Sequence, residues 1–155
     1  MLTINQAAPS FTTTDQNHNS VSLSDFSENK NVILYFYPKD DTSGCTIEAN
    51  QFTAMKDQFD QLDCVILGVS KDDAESHCAF IDKFDLKLTL LADTSGTLCN
   101  DYGVWQDKGK DGITKMGIVR STFVINKKGL LIYAQYAVTA DGHAQEILNV
   151  IKSSL

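Results

Sequence analysis

The chain contains an apolar run that leads through a short loop to a cysteine: Val32-Ile-Leu-Tyr-Phe-Tyr37, then Pro38-Lys-Asp-Asp-Thr-Ser-Gly-Cys45. The first segment is a continuous series of β-branched, aliphatic and aromatic residues, which is typical of a central strand buried on both faces. Pro38 has no backbone N–H and cannot extend the ladder, so we expect the strand to end there. The segment therefore predicts a buried strand that delivers the chain to Cys45.

Apolar residues after this loop recur at the spacing of a helix. The stripe consists of Cys45, Ala49, Phe52, Met55, Phe59 and Leu62. Side chains three and four residues apart lie on one face of a helix. We therefore expect one helix that begins near Cys45 and runs through the whole stripe.

The rest of the chain alternates strand and helix patterns before a closing hairpin and helix. Residues 64–69 and 88–91 read as strands, and Ser70 or Asp72 could cap a helix carrying Ala74, Cys78, Ile81 and Phe84. Residues 97–102 could form one or two helical turns. A hairpin is expected over 121–137, a last helix from about Asp141, and a small extra hairpin over 11–23. This order predicts one α/β domain over residues 1–155 with the thioredoxin fold, a mixed central sheet flanked by helices, and an N-terminal β-hairpin extension.

Composition narrows the class of protein and its partners. The 155 residues are 43% hydrophobic and 21% charged, which is ordinary for a globular chain, and no run approaches the ~20 apolar residues of a membrane span. The net charge of −7 disfavours nucleic acid and anionic membranes as partners. The first residues carry no export signal, so we expect a cytoplasmic protein.

The cysteines and histidines do not form a metal-binding pattern. The four cysteines are spaced unlike paired zinc ligands or a dense disulfide framework, and the three histidines lie far apart. We expect no metal site. Cys64 and Cys99 are expected to be packing residues, and His143 is expected to cap a helix or lie on the surface. Trp105 could line the outer active site or a partner surface, or it could be an ordinary packing residue, so it is not a predicted site residue.

Cys45 is placed where a thiolate is favoured. Unpaired backbone N–H groups and the positive end of the helix dipole stabilise an anion in the first turn of a helix. Gly44 allows a close approach of the backbone to a ligand, and the Thr42 hydroxyl can be presented to the sulfur or to a bound oxygen. The alternative is that Cys45 is a small buried hydrophobic residue, as most free cysteines are.

Charged residues near Cys45 affect how readily its thiol loses a proton. Asp40 and Asp41 would disfavour a thiolate if they pointed at the sulfur, so we expect both to face solvent. Glu48 is expected to lie on a solvated helix face. Arg120 is the only arginine of the chain and begins a predicted inner strand. Its forked guanidinium could contact a thiolate and an oxygen together, which makes it the candidate cation of the site.

The spacing Pro38, three residues, Thr42, two residues, Cys45 resembles the peroxiredoxin signature. The surroundings resemble the subgroup called bacterioferritin comigratory protein or peroxiredoxin Q. The similar segments are Leu67-Gly-Val-Ser70, Tyr102-Gly-Val-Trp105 and Arg120-Ser-Thr-Phe-Val-Ile125. The similarity extends from Ala8-Pro-Ser-Phe11 to the last helix, which is nearly the whole chain.

The resemblance implies a thiol peroxidase that reduces hydrogen peroxide and organic hydroperoxides. Cys45 would be the peroxidatic thiolate that becomes a sulfenic acid, and thioredoxin or a similar thiol donor would restore it. Pro38 would shield the site, Thr42 would hydrogen-bond the peroxide, and Arg120 would stabilise the thiolate and the transition state. No metal, flavin or heme is implied, and the subgroup implies a monomer.

Two positions depart from the subgroup. Ser43 stands where relatives usually have proline, and Asn50 stands where many have a resolving cysteine, so a disulfide within this helix is excluded. Some relatives instead place that cysteine on the helix after the second strand, at the position of Ile81, which makes Cys78 the candidate here. The alternative is that Cys78 packs in the core and an external thiol reduces Cys45 directly.

Two other functions are compatible with a thioredoxin fold. A holdase or binding protein would carry an incidental cysteine, but the combination of Thr42, Cys45 and Arg120 argues against that function. A general disulfide reductase needs two cysteines separated by two residues at the helix start. This chain has Ser43-Gly-Cys-Thr46 there, which argues against a reductase.

Overall fold

The computed structural model of the protein describes residues 1–154. In chain order the strands are β1 (Thr12–Thr14), β2 (Ser20–Ser22), β3 (Asn31–Phe36), β4 (Cys64–Ser70), β5 (Thr89–Ala92), β6 (Trp105–Asp107), β7 (Met116–Ile118), β8 (Ser121–Ile125) and β9 (Leu131–Gln135). The α-helices are α1 (Ser43–Ala54), α2 (Lys56–Gln61), α3 (Ala74–Phe84), α4 (Thr97–Asp101) and α5 (His143–Ser154), and a 3₁₀ helix spans Leu23–Phe26.

The central sheet has five strands in the order β5-β4-β3-β8-β9. β3 pairs in parallel with β4 and antiparallel with β8, and every residue of β3 is buried, as its continuous apolar pattern predicts. Because β3 and β8 run in opposite directions, the last residue of β3, Phe36, lies opposite the first residue of β8, Ser121. The residues that follow β3 and those that precede β8 therefore meet at one edge of the sheet.

The two faces of the sheet are covered by different elements. One face packs against α1, α2, α3 and α5 through a core that includes Phe52, Phe59, Phe80 and Ile147. The other face packs against β2, α4 and β7. Apolar burial on both faces is the main force that fixes the sheet between its layers.

Gly68 of β4 lets a large aromatic ring lie beneath α1. Gly68 is paired with Tyr35 of β3, and a methyl group added at Gly68 would be 2.9 Å from the Tyr35 ring and hydroxyl. The Tyr35 ring stacks on Phe52 of α1 at a centroid distance of 4.8 Å. This packing seats α1, and with it Cys45, on the sheet.

The fold class predicted from the sequence is confirmed. The N-terminal hairpin is β1–β2, the predicted C-terminal hairpin is β8–β9, and the last helix buries Ile147, Leu148 and Ile151 as expected. That residues 1–155 form one domain stays a prediction. None of the helices among residues 1–154 is both long enough and apolar enough to cross a membrane.

Several local predictions are wrong. The expected single helix after Cys45 breaks at Met55 into α1 and α2. The N-cap of α3 is Asp73, whose carboxylate accepts the Ser76 amide, because that amide lies within reach of Asp73 rather than of Ser70 or Asp72. A short β6–β7 hairpin is present in addition to the predicted elements, because Trp105–Asp107 pairs with Met116–Ile118 although neither segment has a clear alternating pattern.

Candidate active site

Cys45 lies in the first turn of α1 and is almost completely buried, with 2% of its surface exposed. Thr42 is the N-cap residue, with an extended backbone that ends the loop after β3. The sulfur accepts a hydrogen bond from Arg120 Nη2 at 3.4 Å. A sulfur anion is therefore stabilised both by a guanidinium and by the amino end of a helix.

Arg120 reaches Cys45 because of the strand pairing described above. It immediately precedes β8, at the edge of the sheet where the loop after β3 begins. Gly44 leaves room for the guanidinium, since a methyl group at that position would lie 3.1 Å from Nη2. The close approach thus depends on a residue without a side chain.

Glu48 is the second partner of Arg120. Arg120 Nη1 donates to Glu48 Oε1 at 2.6 Å, and the Glu48 side chain is fully buried. Burial raises the pKa of Glu48 to about 7, although the charge and hydrogen bond of Arg120 act in the opposite direction. Glu48 Oε2 has no hydrogen-bond partner within residues 1–154.

The expectation that Glu48 lies on a solvated helix face is wrong. It occupies the buried face of α1 with Cys45, Ala49 and Phe52 because its carboxylate can be paired with Arg120 there. A signal for this was present in the sequence. Glu48 is three residues after Cys45 and next to Ala49, so it falls on the apolar stripe of a chain that has a single arginine.

Thr42 and Pro38 border the same loop. The Thr42 hydroxyl donates to the Lys39 carbonyl oxygen at 2.9 Å, and Thr42 is exposed. Pro38 is half-buried and lines a cleft together with Trp105 and Ile118. The structure therefore places all four predicted residues, Cys45, Thr42, Arg120 and Pro38, at the edge where β3 ends and β8 begins.

Asp40 is buried, and the expectation that it faces solvent is wrong. Its carboxylate accepts hydrogen bonds from Tyr37 Oη at 2.5 Å, Ser76 Oγ at 2.8 Å and His77 Nδ1 at 2.7 Å. Asp41, in contrast, is exposed and pairs with Lys83. Asp40 is buried because α3 offers it two donors, Ser76 and His77, in addition to Tyr37.

His77 and Asp40 form a buried ion pair that joins the active-site loop to α3. The other ring nitrogen of His77 lies 2.9 Å from the Leu91 carbonyl oxygen, so both nitrogens face acceptors, an arrangement that favours the imidazolium form. Burial lowers the pKa of His77, but the hydrogen bond and charge of Asp40 outweigh it and raise that pKa. Burial raises the pKa of Asp40, and the hydrogen bonds from His77 and Tyr37 more than reverse this.

Asp40, Asp72 and His77 also place one potential metal ligand atom each within 4.8 Å of one another. The donor set does not fit a metal ion. Both imidazole nitrogens already face hydrogen-bond acceptors, the Asp40 carboxylate and the Leu91 carbonyl oxygen, and Asp72 accepts from Ser70 Oγ and from the Asp40 amide. The group is a satisfied hydrogen-bond network.

The four cysteines are all free thiols, and Cys78 lies away from the core. Ala74 is buried and Ile81 and Phe84 pack against the core as expected, so Cys78 is the one residue of the predicted face that lies outside it. Cys78 is half-buried and its thiol donates to the Gln16 carbonyl oxygen at 3.0 Å, in the loop between β1 and β2. That contact removes it from the core packing considered as one alternative.

The remaining candidates are buried or packed. Cys64 and Cys99 are buried, and burial raises the pKa of Cys64 to about 11 and moves the pKa of Cys99 upwards as well. Trp105 is half-buried and carries the Lys71 ammonium 4.1 Å above its ring. His143 is buried against Thr122 Oγ1 at 2.8 Å, so a surface position is wrong for it.

Known proteins are similar to this chain in sequence and in fold. Residues 4–134 match the AhpC/TSA family. A Coxiella burnetii protein called putative peroxiredoxin bcp is 42% identical over 145 residues, which are 94% of this chain and 95% of that protein. Peroxiredoxin Bcp of Bacillus subtilis is 42% identical over 149 residues, or 96% of this chain and 94% of that protein.

The chain belongs to the AhpC/TSA family, as a peroxiredoxin of the Bcp/PrxQ group. Its structure is similar to a cysteine-to-serine mutant of PrxQ from Xylella fastidiosa, with a TM-score of 0.92, 32% identity and coverage of 99% of this chain and 97% of that chain. Bacterioferritin comigratory protein from Xanthomonas campestris has a TM-score of 0.88 and 32% identity, covering 92% of this chain and 90% of that chain. The family resemblance inferred from the sequence is confirmed.

The Glu48→Gln variant of this peroxiredoxin should lose a pH dependence of stability. Because the pKa of Glu48 is raised to about 7, the native wild type binds more protons than the unfolded chain between roughly pH 4.5 and 7, and its stability falls as pH rises through that window. Relative to the glutamine variant, wild type should lose up to about 3 kcal/mol between pH 5 and pH 8.

Urea unfolding of both proteins at a series of pH values measures this difference. The other titratable groups are present in both proteins, so the difference between their free energies of unfolding reports on Glu48. Two stability curves that run parallel from pH 5 to pH 8 would contradict the raised pKa of Glu48.

Proposed function

We propose that this peroxiredoxin reduces hydroperoxides with Cys45 as the peroxidatic residue. The observation that carries the proposal is the pair of contacts of Arg120, one to Cys45 Sγ and one to Glu48 Oε1. The Cys45 thiolate attacks one oxygen of the hydroperoxide, an S–O bond forms, and the O–O bond breaks. The sulfur is oxidised to sulfenic acid, and the leaving alkoxide or hydroxide takes a proton to become an alcohol or water.

Arg120 stabilises charge on both sides of this reaction. Its guanidinium donates to the thiolate in the ground state, and its remaining N–H groups can donate to the peroxide oxygens as negative charge develops on them. Glu48 fixes the orientation of the fork, so little reorganisation is needed during the attack. The Thr42 hydroxyl hydrogen-bonds the peroxide, and Pro38 shields the sulfur from water.

A relative in the same group supports the substrate class. Bacterioferritin comigratory protein from Xanthomonas campestris has alkyl peroxide reduction activity. For this chain we propose hydrogen peroxide and organic hydroperoxides as substrates. A holdase with an incidental cysteine is not favoured, since such a protein has no need of a guanidinium that donates to its thiol.

A thiol donor returns the sulfenic acid to the thiol, and we propose Cys78 as the first one. Its thiol attacks the Cys45 sulfur, a disulfide forms and water leaves, and thioredoxin or a similar dithiol then reduces the disulfide. The half-buried position of Cys78 beside an N-terminal loop supports this role. The alternative is a one-cysteine cycle in which an external thiol attacks the sulfenic acid directly.

We also propose a cytoplasmic monomer that binds neither nucleic acid nor membranes. The net charge of −7 supports the absence of polyanionic partners. Reduction by thioredoxin is consistent with a reducing compartment, where free cysteines persist.

The Cys45→Ser variant should consume no peroxide above background while retaining the fold, because a serine hydroxyl is a far weaker nucleophile than a thiolate. Peroxide loss in a coupled thioredoxin assay and circular dichroism measure the two properties. Cys64→Ser is the matched control, since that thiol is also buried, and it should retain turnover. Turnover in the Cys45 variant would contradict the proposed function.

Arg120→Lys should slow the oxidation of Cys45 by about tenfold or more at neutral pH. One ammonium group cannot contact sulfur, peroxide and Glu48 with the geometry of a planar fork. Stopped-flow oxidation of the reduced protein measures the rate constant, and Lys128→Arg, a conservative exchange in the β8–β9 turn, is the control. Equal rate constants for wild type and the Arg120 variant would remove Arg120 from the reaction.

Peroxide treatment should link Cys45 to Cys78. Disulfide formation needs Cα atoms within ~7 Å, so the first turn of α1 must unwind after oxidation, which Ser43 in place of proline favours. Peptide mapping under non-reducing conditions identifies the linked pair, with Cys78→Ser as the control. Stable sulfenic or sulfinic acid on Cys45 with Cys78 free would refute the two-cysteine route.

A further inference from the structure

A cleft with a volume of about 620 Å³ lies beside the loop that carries Pro38. Its apolar lining comes from Pro38, Trp105, Met116 and Ile118. Met116 is 46% exposed although it is a large hydrophobic residue. The cleft therefore offers apolar surface of a kind that usually marks a binding site.

Four lysines surround this apolar surface: Lys39, Lys71, Lys108 and Lys115. In the part of the chain that the structure describes, no aspartate or glutamate lines the cleft. Within residues 1–154 none of the four forms an ion pair, whereas other lysines such as Lys56, Lys83 and Lys127 do. In a chain with a net charge of −7, this is a local concentration of uncompensated positive charge.

Two of these lysines are held in place by the protein. The Lys71 ammonium lies 4.1 Å from the centre of the Trp105 ring, a cation–π contact. Lys108 Nζ donates to the Ile118 carbonyl oxygen at 2.9 Å. The aliphatic part of Lys108 crosses β7 at Gly117, where a methyl group would lie 3.0 Å from its Cδ atom. The charges are therefore positioned before any ligand binds.

The carboxylates next in sequence to Lys108 and Lys71 have partners of their own. Asp107, at the end of β6, accepts the backbone amides of Gly109 and Lys115 within its own loop. Asp72 accepts from Ser70 Oγ and the Asp40 amide in the buried network. The ammonium groups of the cleft are thus available to pair with an anionic ligand.

The cleft adjoins the reacting groups through two elements. Pro38 begins the loop that contains Thr42 and leads to Cys45. Ile118 ends β7 two residues before Arg120. The cleft is therefore lined by residues of the same two segments that carry Thr42 and Arg120.

We propose that this cleft is a subsite for hydroperoxides whose apolar chain carries an anionic group, such as a carboxylate. The proposal rests on the peroxidase function above and adds selectivity to it. The chain packs on Trp105, Met116 and Ile118, and the anion binds the ammonium groups of Lys71 and Lys108. The reaction at Cys45 is unchanged, since the anionic group remains at the far end of the substrate.

A long-chain fatty-acid hydroperoxide and its methyl ester form a matched pair of probes, because they differ only in the charge of the carboxylate. Below the concentrations at which either forms micelles, reduced wild-type enzyme should be oxidised about fivefold to tenfold faster by the acid at low ionic strength, as expected for two partly exposed charge contacts. The preference should shrink as salt is added. Single-turnover oxidation without a reductant measures both rate constants.

The double variant Lys71→Gln, Lys108→Gln should bring the ratio of the acid to the ester rate constant close to one. Lys128→Gln, Lys152→Gln removes the same charge elsewhere and should keep the wild-type ratio, because neither lysine lines the cleft. Fluorescence of Trp105, the only tryptophan, gives a second readout. The corresponding hydroxy acid should quench it at lower concentration than the hydroxy methyl ester does, in wild type but not in the first double variant.

The experiment separates this proposal from the peroxidase function itself. If wild type is not oxidised by hydrogen peroxide at Cys45, the peroxidase function fails. If it is oxidised but reacts equally with acid and ester, or if the Lys71, Lys108 variant keeps the wild-type ratio, the subsite is overturned. An unaltered ratio combined with slower reduction by thioredoxin would assign the cleft to the protein reductant and would also overturn it.

Discussion

The active site depends on the position of the Arg120 guanidinium, which contacts the buried sulfur of Cys45 and the buried carboxylate of Glu48. The strand order and the start of α1 together make these two contacts possible. The antiparallel pairing of β3 and β8 brings Arg120 to the end of β3. The first two turns of α1 bring Cys45 and Glu48 to the same place, and Gly44 leaves room for the guanidinium. A change in the strand order or in the start of α1 would separate the charges that stabilise one another.

The ion pair of Arg120 and Glu48 serves orientation more than stability. Removing two charges from water costs free energy that their attraction offsets only in part, so buried pairs contribute little to net stability. The pKa of Glu48, raised to about 7 despite the adjacent arginine, reflects this cost. The result is a guanidinium whose fork has one orientation, with one N–H group directed at Cys45 and others available to a substrate oxygen.

The parts of the fold that could be predicted from sequence are those with local signals. The continuous apolar run before Pro38 marks β3, the β8–β9 hairpin has a glycine-containing turn, and the position of Cys45 follows from the strand before it and the apolar stripe after it. Arg120 can be identified because it is the only arginine. The burial of Glu48 has only an indirect signal, its place on the apolar stripe of α1, because the arginine that makes burial possible lies far away in the chain.

Single-sequence patterns treat charged residues as solvated, because an unpaired buried charge is costly. Such patterns therefore do not predict the burial of Asp40 and His77, since each of these residues depends on the other as a buried partner. The break between α1 and α2 at Met55 and the short β6–β7 hairpin have no clear signal in the sequence for a related reason. Tertiary packing, rather than local periodicity, determines where these elements begin and end.

The ion pair between Asp40 and His77 changes the topology of the proposed disulfide. In an unfolded chain, joining Cys45 to Cys78 would close a long loop and cost the corresponding entropy. While the contact between Asp40 and His77 persists, the loop that the disulfide closes is much shorter. It contains only the residues from Asp40 to Cys45 and the step from His77 to Cys78. The contact therefore acts as a tether that raises the effective concentration of one thiol near the other, even after the first turn of α1 has opened.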